Sequence, residues 1–328
     1  MTVALRVAFI GGTLVLAACM VVAIAIGPVP LPLLDVMHAF GGDGDSTVVA
    51  IVRELRAPRV VLCALVGAGL AMSGSALQGA LRNPLAEPYL LGVSGGAAVG
   101  AVLMMALGVT AAGAVTLGAF AGAGVAAVLV TTLARVVGGS GDTRLLLMAG
   151  VVVGAFANAM ILVALADVSP ERRGNALWWM MGSAADAAWA TVFRIAAALV
   201  VFGGVLVWWA RDLDVLSLGD EPAAALGVDV DRMARRIFLA ASLLAAATVA
   251  AAGLIGFVGL VVPNLSRALG ARLHRQMLLL SAICGAVLVV AADLLARTVR
   301  APADLPLGAV TALVGVPFFL WRLRRSAA

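Results

Sequence analysis

Ten apolar runs divide this chain, and most of them are as long as a lipid bilayer is thick. A helix needs about 20 predominantly apolar residues to cross the hydrocarbon core, and charged residues, prolines and glycines separate the runs. The predicted helices are 7–26, 60–80, 89–107, 110–133, 145–166, 187–210, 237–254, 257–269, 277–295 and 307–321. We therefore predict an all-α polytopic membrane protein with about ten transmembrane helices.

Composition narrows the classes of protein that such a chain can belong to. Of its 328 residues, 63% are hydrophobic and 12% are charged, so we predict one transmembrane domain over 1–328 and no large soluble domain. Every basic residue is arginine. Because a P-loop needs a lysine for its phosphates, any ATP-hydrolysing loop of that kind must come from another subunit.

The arginines also predict how the chain is oriented. Regions that would face the cytoplasm if the N-terminus does so hold more arginines than the outer regions, whereas carboxylates are divided evenly. This bias places both termini in the cytoplasm. The arginines separate apolar segments instead of lining one exposed face, which argues against a nucleic-acid partner despite the net charge of +5.

Glycines recur at helical spacing in three of the predicted helices. They form the ridges Gly92-Gly96-Gly100, Gly118-Gly122 and Gly150-Gly154, and the last one continues to Asn158. Small residues at this spacing let membrane helices approach closely. Tight packing is the favoured interpretation, and a substrate path along Asn158 is the alternative.

Several motifs occur in order along the chain. They are LRAPR at 55–59, QGALRNPLAEP at 78–88, LGVSGGA at 91–97, GFVGLVVP at 256–263, AD at 292–293, and LPLG at 305–308 with GVP at 315–317. Together they resemble the FecCD/BtuC family, the membrane permeases of ABC importers for iron–siderophore complexes, haem and cobalamin. The resemblance extends from about Leu55 to Arg322.

The resemblance implies a BtuC-like, type II ABC importer fold in the bacterial inner membrane. It implies a homodimer, two cytoplasmic ATPase subunits that use ATP and Mg, and a periplasmic binding protein that delivers a metal chelate. No cofactor or metal is expected on this chain, and no enzymatic activity of its own.

Three arginines are candidates for docking the binding protein. The family's motif positions correspond to Arg56, Arg59 and Arg297, predicted at the external side. Guanidinium groups suit bidentate pairing with carboxylates. Anchoring at the membrane interface is the alternative.

The internal region 211–236 resembles the coupling region that contacts the ATPase. Its pattern comprises Ala223, Ala224, Leu226, Gly227 and Val228. Pro222 suits a first helical turn and Gly227 a helix end, so a short surface helix is predicted here.

Further residues are candidates for the gate, the path and its mouth. By the resemblance Thr143 lies near the inner gate, with a plain turn as the alternative. The polar residues Ser73 and Gln78 either line the path or satisfy backbone groups. At the external mouth, the candidates for receiving substrate are Arg172, Arg173, Trp178 and Trp179. The alternative for the two tryptophans is a place among the aromatic residues at the membrane interface.

Asp293 is the carboxylate predicted deep within a span. Arg297 follows four residues later on the same helix face, so a structural ion pair is favoured. The functional alternative is a proton-coupled secondary transporter that uses Asp293 as its relay. An intramembrane hydrolase is disfavoured, because no histidine is predicted near a membrane nucleophile.

The chain departs from the family pattern at two places. Asn264 follows Pro263 where histidine is usual, and Leu273 precedes His274 where aspartate is usual. Both places are predicted near the cytoplasm, so ligation of a passing metal by histidine is not expected. The predicted cargo is a ferric chelate, either a siderophore complex or haem, with cobalamin as the alternative.

Overall fold

The computed structural model describes residues 3–27, 29, 31–43, 45–89, 91–109, 111–138 and 143–327. In this part of the chain every regular element is helical. The α-helices in chain order are α1 (Val3–Ala25), α2 (Leu33–Gly41), α3 (Ser46–Ala50), α4 (Ala57–Ala80), α5 (Val93–Ala106), α6 (Ala112–Gly138), α7 (Thr143–Ala166), α8 (Pro170–Met180), α9 (Trp189–Ala198), α10 (Gly204–Trp208), α11 (Ala210–Leu216), α12 (Asp220–Ala225), α13 (Val230–Ala252), α14 (Val258–Ala268), α15 (His274–Thr298) and α16 (Leu307–Ala327).

Each apolar run predicted from the sequence overlaps a helix. Within the described residues, seven helical stretches are long and apolar enough to cross a membrane. They include α1, α6, α7, α13 and α15, the continuous stretch Ser46–Ala80, and Trp189–Trp208. The apolar helix α5 has only 14 residues and α14 has only 11, which is too short for either to cross alone. They lie beside breaks in the chain that form the cavity described below.

The second predicted span starts earlier than the apolar pattern indicates. A π-helical turn, Ile51–Arg56, joins α3 to α4 without interruption. Pro58 lacks a backbone N–H, and the π turn directly before it shifts the bonding so that the N–H of Ala57 donates to the carbonyl of Val52. The charged residues Arg53, Glu54 and Arg56 therefore lie within one helical stretch and not in a loop.

Helix α4 is the centre of the molecule. It packs against α13, α14 and α15 along most of its length, and its stretch is the most deeply buried of the seven candidate spans. Gly67 meets Gly285 of α15, and Gly74 meets Gly259 of α14, so closely that a Cβ on either α4 glycine would lie 2.1 Å from the facing carbonyl oxygen. Side chains larger than hydrogen do not fit at these crossings.

The glycine ridges predicted from the sequence meet one another. Gly100 of α5 faces Gly118 of α6, where a Cβ would lie 2.0 Å from the facing carbonyl oxygen, and Gly96 faces Gly122. Gly92, just before α5, lies against Gly150 and Gly154 of α7. The packing interpretation of these ridges is confirmed.

Candidate functional site

Asp293 is the centre of an ion-pair cluster at the N-terminal end of α4. Arg59 of α4 contacts its Oδ1 through Nη2 at 2.8 Å, and Arg297 contacts its Oδ2 through Nε at 3.3 Å. Arg59 also pairs with Asp304 at 2.9 Å. We call Arg56, Arg59, Asp293 and Arg297 the arginine cluster. The i,i+4 pair predicted from the sequence is present, and Arg59 completes it from another helix.

Two members of the arginine cluster are buried and bond to the end of α1. Arg56 donates from Nη1 to the carbonyls of Ile24 and Ala25 at 2.9 and 2.8 Å, and Arg297 donates to the carbonyl of Ala23. The last carbonyls of a helix lack partners within the helix, so these arginines supply the missing donors. Both side chains are turned inward and present almost no surface to a partner protein. Docking of a binding protein by Arg56 and Arg297 stays a prediction.

A second polar cluster, the glutamine cluster, joins the C-terminal end of α4 to α14. It consists of Gln78, Asn264 and Arg267. Gln78 is 2% exposed and donates from Nε2 to the carbonyls of Gly259 and Leu260 at 3.2 and 3.3 Å. Its Oε1 accepts from Arg267 at 2.9 Å.

The glutamine cluster compensates for a proline. Pro263 lies inside α14 and has no N–H to give to the carbonyl four residues earlier, that of Gly259. The Gln78 amide supplies that donor from α4, and Asn264 donates to the carbonyl of Leu260 at 2.8 Å. Of the two possibilities left open for Gln78, satisfaction of backbone groups is therefore the one that the contacts show.

Ser73 has a comparable place. It is fully buried in α4 and its hydroxyl donates to the carbonyl of Ala241 in α13 at 2.7 Å. Asn158 lies on an exposed part of α7, and Thr143 is the first residue of that helix; nothing further is described for its side chain. The function of Asn158 and Thr143 in the gate or path stays a prediction.

The short helix predicted in the region 211–236 is present as α12. Ala223 lies on the buried side of this helix. Ala224 on the helix is exposed, and Leu226 directly after it is 63% exposed. Arg82, just beyond α4, pairs with Asp220 at 2.6 Å. Beside this pair, His274 at the start of α15 contacts Asp214 at 2.8 Å through Nδ1. The α12 surface is thus tied to the same end of α4 as the glutamine cluster.

Helix α8 carries the residues predicted at the mouth of the path. Arg172 donates to the carbonyl of Ala106, the last residue of α5, at 3.1 Å, and Arg173 donates to that of Ala166 at 3.2 Å. Both side chains remain exposed. Trp178 is 59% exposed, whereas Trp179 packs against the core. A function of these residues in receiving substrate stays a prediction.

Breaks in three helical regions meet beside α8. The N–H of Ser183 donates to the carbonyl of Ala252 at 2.8 Å, and the N–H of Leu307 donates to that of Gly182 at 3.0 Å. A Cβ on Gly253 would lie 2.2 Å from the carbonyl oxygen of Trp179, so the chain crosses itself here in a way that requires glycine. The segment 182–183 and the motifs at 256–263 and 305–308, distant in sequence, are neighbours in space.

A cavity of about 470 Å³ opens at this crossing. Its wall combines helix ends with non-helical backbone and consists mainly of apolar side chains. The lining residues include Glu87, Tyr89, Met180, Met181, Phe257 and Leu260. Irregular backbone at membrane depth is tolerated where it is buried in protein or lines a cavity, and broken helices mark binding sites in many transporters.

Glu87 is the residue of this cavity that the sequence did not single out. Its side chain is buried, with 6% of the residue exposed, and burial raises the pKa of its carboxyl group to about 7 although a hydrogen bond from the Phe257 backbone N–H lowers it. The sequence did contain a signal for this residue, because Glu87 is a single acidic residue between Pro84 and Pro88 in an otherwise apolar string.

The fold and these sites define a multi-pass membrane permease. The chain has helices of membrane length, an interrupted helical wall around a cavity and a surface helix tied to the C-terminal end of α4. The sequence model of the FecCD transport family matches residues 14–325. The chain belongs to the FecCD transport family.

Individual relatives agree with this assignment. The chain is similar to a cobalamin import system permease protein, BtuC, of Halobacterium salinarum, with 40% identity over 92% of this chain and 82% of the relative. It is equally similar, at 40% identity, to the hemin transport system permease protein HmuU of Yersinia pestis, over 83% of each chain. A solved metal-chelate type ABC transporter in an inward-facing conformation superimposes with a TM-score of 0.87, covering 97% of this chain and 98% of that one at 27% identity.

The family assignment establishes the general activity. The chain is a permease subunit of ABC importers and not an enzyme, and separate ATPase subunits hydrolyse the ATP. The sequence prediction of the family is confirmed.

Proposed function

We propose that this chain forms a homodimer in the bacterial inner membrane and carries a ferric chelate, a siderophore complex or haem, to the cytoplasm. The observation that carries the proposal is the cavity at the converging helix breaks, whose wall is mainly apolar with a carboxyl and a phenol group. Such a wall suits a large chelate with an apolar surface and few polar groups. The similarity to the hemin permease and to the metal-chelate transporter supports this cargo class.

Cobalamin is the second candidate cargo. The similarity to the cobalamin permease is as high as that to the hemin permease, and an apolar cavity does not separate the two. The decisive experiment is uptake into proteoliposomes that contain the permease, its ATPase subunits and its binding protein. Haem, a ferric trihydroxamate and cobalamin are compared, and ATP-dependent uptake of cobalamin alone would overturn the ferric-chelate proposal.

A proton-coupled transporter that relies on Asp293 fits the structure less well. The Asp293 carboxylate already forms ion pairs with Arg59 and Arg297, and breaking a buried ion pair is costly. Uptake that continues without ATP in the same proteoliposomes would favour the proton-coupled transporter.

We assign ATPase coupling to the exposed surface of α12. Ala224 and Leu226 are exposed, and the helix is held to α4 through Arg82 and Asp220. A helix of this kind fits into a groove on a partner protein. Leu226→Cys is expected to form a nucleotide-sensitive cross-link to the ATPase subunit, whereas Leu34→Cys, also exposed but on α2, is expected to form none.

For the binding protein, we propose docking around the external end of α4. Of the three predicted arginines, Arg59 has the more accessible side chain, 15% exposed, and it lies beside the partly exposed Asp304. Arg59→Ala is expected to weaken association with the binding protein and to reduce its salt dependence. Unchanged affinity and salt dependence would exclude docking by this residue.

A further inference from the structure

The cavity beside α8 contains one acidic side chain whose chemistry the permease function does not yet use. Glu87 lies on the non-helical segment after α4 and is one of the residues that line the cavity. The N–H of Phe257 is its hydrogen-bond donor. Phe257 itself has a φ of +68°, an uncommon conformation for a residue with a side chain, and it holds this N–H at the start of α14.

None of the described residues that line the cavity is a cation that could pair with Glu87. Tyr89 is the other titratable group of the lining. On the elements packed against it, Arg267 at the far end of α14 bonds to Gln78, and Arg172 and Arg173 at the far end of α8 bond to backbone carbonyls. Asp304, ahead of α16, is paired with Arg59.

A buried carboxyl group in such surroundings is preferentially neutral. Removing a carboxylate from water costs free energy unless a cation or several donors compensate, and one backbone N–H is the donor here. The neutral form has a property that the carboxylate lacks, because its O–H donates a hydrogen bond. Hydroxamate, catecholate and carboxylate groups of ferric chelates all present oxygen acceptors.

We propose that Glu87 is a cargo-binding residue, whose protonated carboxyl group donates a hydrogen bond to an oxygen atom of the chelate in the cavity. The inference rests on the permease function proposed above. Met180, Met181 and Leu260 supply the apolar part of the same wall. Ionisation removes the donor and places a negative charge against an anionic chelate, so transport falls as Glu87 loses its proton.

The experiment measures uptake of haem and of a neutral ferric trihydroxamate at several pH values from 6 to 8, per ATP hydrolysed, in proteoliposomes with the complete complex. With a pKa of about 7, the protonated fraction of Glu87 falls by about tenfold over this range. Wild-type uptake of the transported chelate is expected to fall accordingly. Glu87→Gln, whose amide donates at every pH, is expected to give a flat profile, and Glu87→Ala low uptake throughout.

Glu54→Gln is the matched control, because it makes the same chemical change on an exposed residue; it is expected to keep the wild-type profile. Wild-type uptake with an unchanged pH profile in Glu87→Gln overturns the Glu87 proposal and leaves the permease proposal intact. Failure of wild-type uptake of both chelates overturns the ferric-chelate proposal and the Glu87 proposal with it.

A second measurement does not depend on whether the variants fold. Infrared difference spectra of the wild-type protein with and without the chelate are expected to show a shifted carbonyl stretch of a protonated carboxyl group at pH 6. A neutral carboxyl group that forms a hydrogen bond absorbs at a different frequency from one that does not. Absence of any chelate-dependent carboxyl band at pH 6 contradicts the proposal.

Discussion

The two ends of α4 are both polar and both buried, yet they are stabilised in different ways. At the N-terminal end, the arginine cluster surrounds one carboxylate with full charges and bonds to the last carbonyls of α1. At the C-terminal end, the glutamine cluster uses a neutral amide to satisfy the carbonyls that Pro263 leaves free. About 36 Å of helix separates the two ends.

The difference indicates which end can move. Separating buried charges in the arginine cluster costs several kcal/mol, so this end is expected to remain a single rigid unit. At the other end, the Gln78 hydrogen bonds to the carbonyls of Gly259 and Leu260 join neutral groups and cost about 1 kcal/mol each to exchange. Arg267, the cation of this cluster, bonds to neutral amide oxygens, so the end beside α12 can rearrange more easily. A permease that responds to an ATPase at its cytoplasmic face needs its rearrangements at that face.

The largest expected effect comes from breaking the arginine cluster. Asp293→Asn leaves Arg297, 2% exposed, without its carboxylate, and uncompensated buried charge typically costs about 3–5 kcal/mol. Thermal unfolding of the detergent-solubilised protein measures this loss. Asp35→Asn, on an exposed position of α2, is the matched control and is expected to unfold at the wild-type temperature; equal behaviour of the two variants would contradict the assignment.

A smaller loss is expected from the glutamine cluster. Gln78→Leu removes the donor to two carbonyls and the acceptor for Arg267, which together cost about 1–3 kcal/mol in unfolding free energy. Ser75→Ala, less than one helical turn earlier, removes a buried hydroxyl that has no hydrogen-bond partner among the residues that the structure describes, and is expected to be neutral. A Ser75 variant less stable than the Gln78 variant would reverse this ranking.

The buried carboxyl group of Glu87, in the cavity beside α8, is tested by the pH dependence of stability. Because the pKa of Glu87 is raised above its unfolded value of 4.5 to about 7, the folded state binds the proton more tightly. Its contribution to stability is complete below about pH 4.5 and is lost as pH rises to about 7. The unfolding temperature of the wild type is expected to fall more over this range than that of Glu87→Gln, and parallel curves would exclude a buried neutral carboxyl group.

The smallest effect on stability is expected at α12. The side chains of the Arg82–Asp220 pair are 30% and 55% exposed, so solvent screens the pair and Arg82→Asp is expected to cost about 1 kcal/mol or less. Uptake per ATP hydrolysed should nevertheless fall several-fold, and the reversed pair Arg82→Asp with Asp220→Arg should restore it. Full uptake in the single variant would exclude this pair from coupling.

The sequence predicted the helices well because membrane thickness constrains each one locally. It did not predict that the helical stretch containing α4 begins as early as Ser46, since Arg53 and Glu54 interrupt the apolar run while a π turn joins α3 to α4 ahead of Pro58. A local pattern contains no information about this compensation.

The sites were predicted less completely, because their contacts join distant parts of the chain. Arg56 and Arg297 are predicted as docking residues at the external side. In the structure they donate to carbonyls of α1 that lie more than 30 and more than 270 residues away along the sequence, respectively. Glu87 was missed for the same reason, since its burial depends on residues 253–257 folding beside it. The i,i+4 pair of Asp293 and Arg297 was predictable because it lies on one helix.

The bonds from Arg56 and Arg297 to α1 have a consequence for mutational tolerance. Most of α1 is uncovered by the rest of the chain, so its side chains have few neighbours to match. The two arginines contact backbone carbonyls, which every amino acid provides. A saturation library of α1 should therefore accept most apolar exchanges, even at Ala25, while deletion of a single residue, which rotates those carbonyls by about 100° around the helix axis, should be rejected.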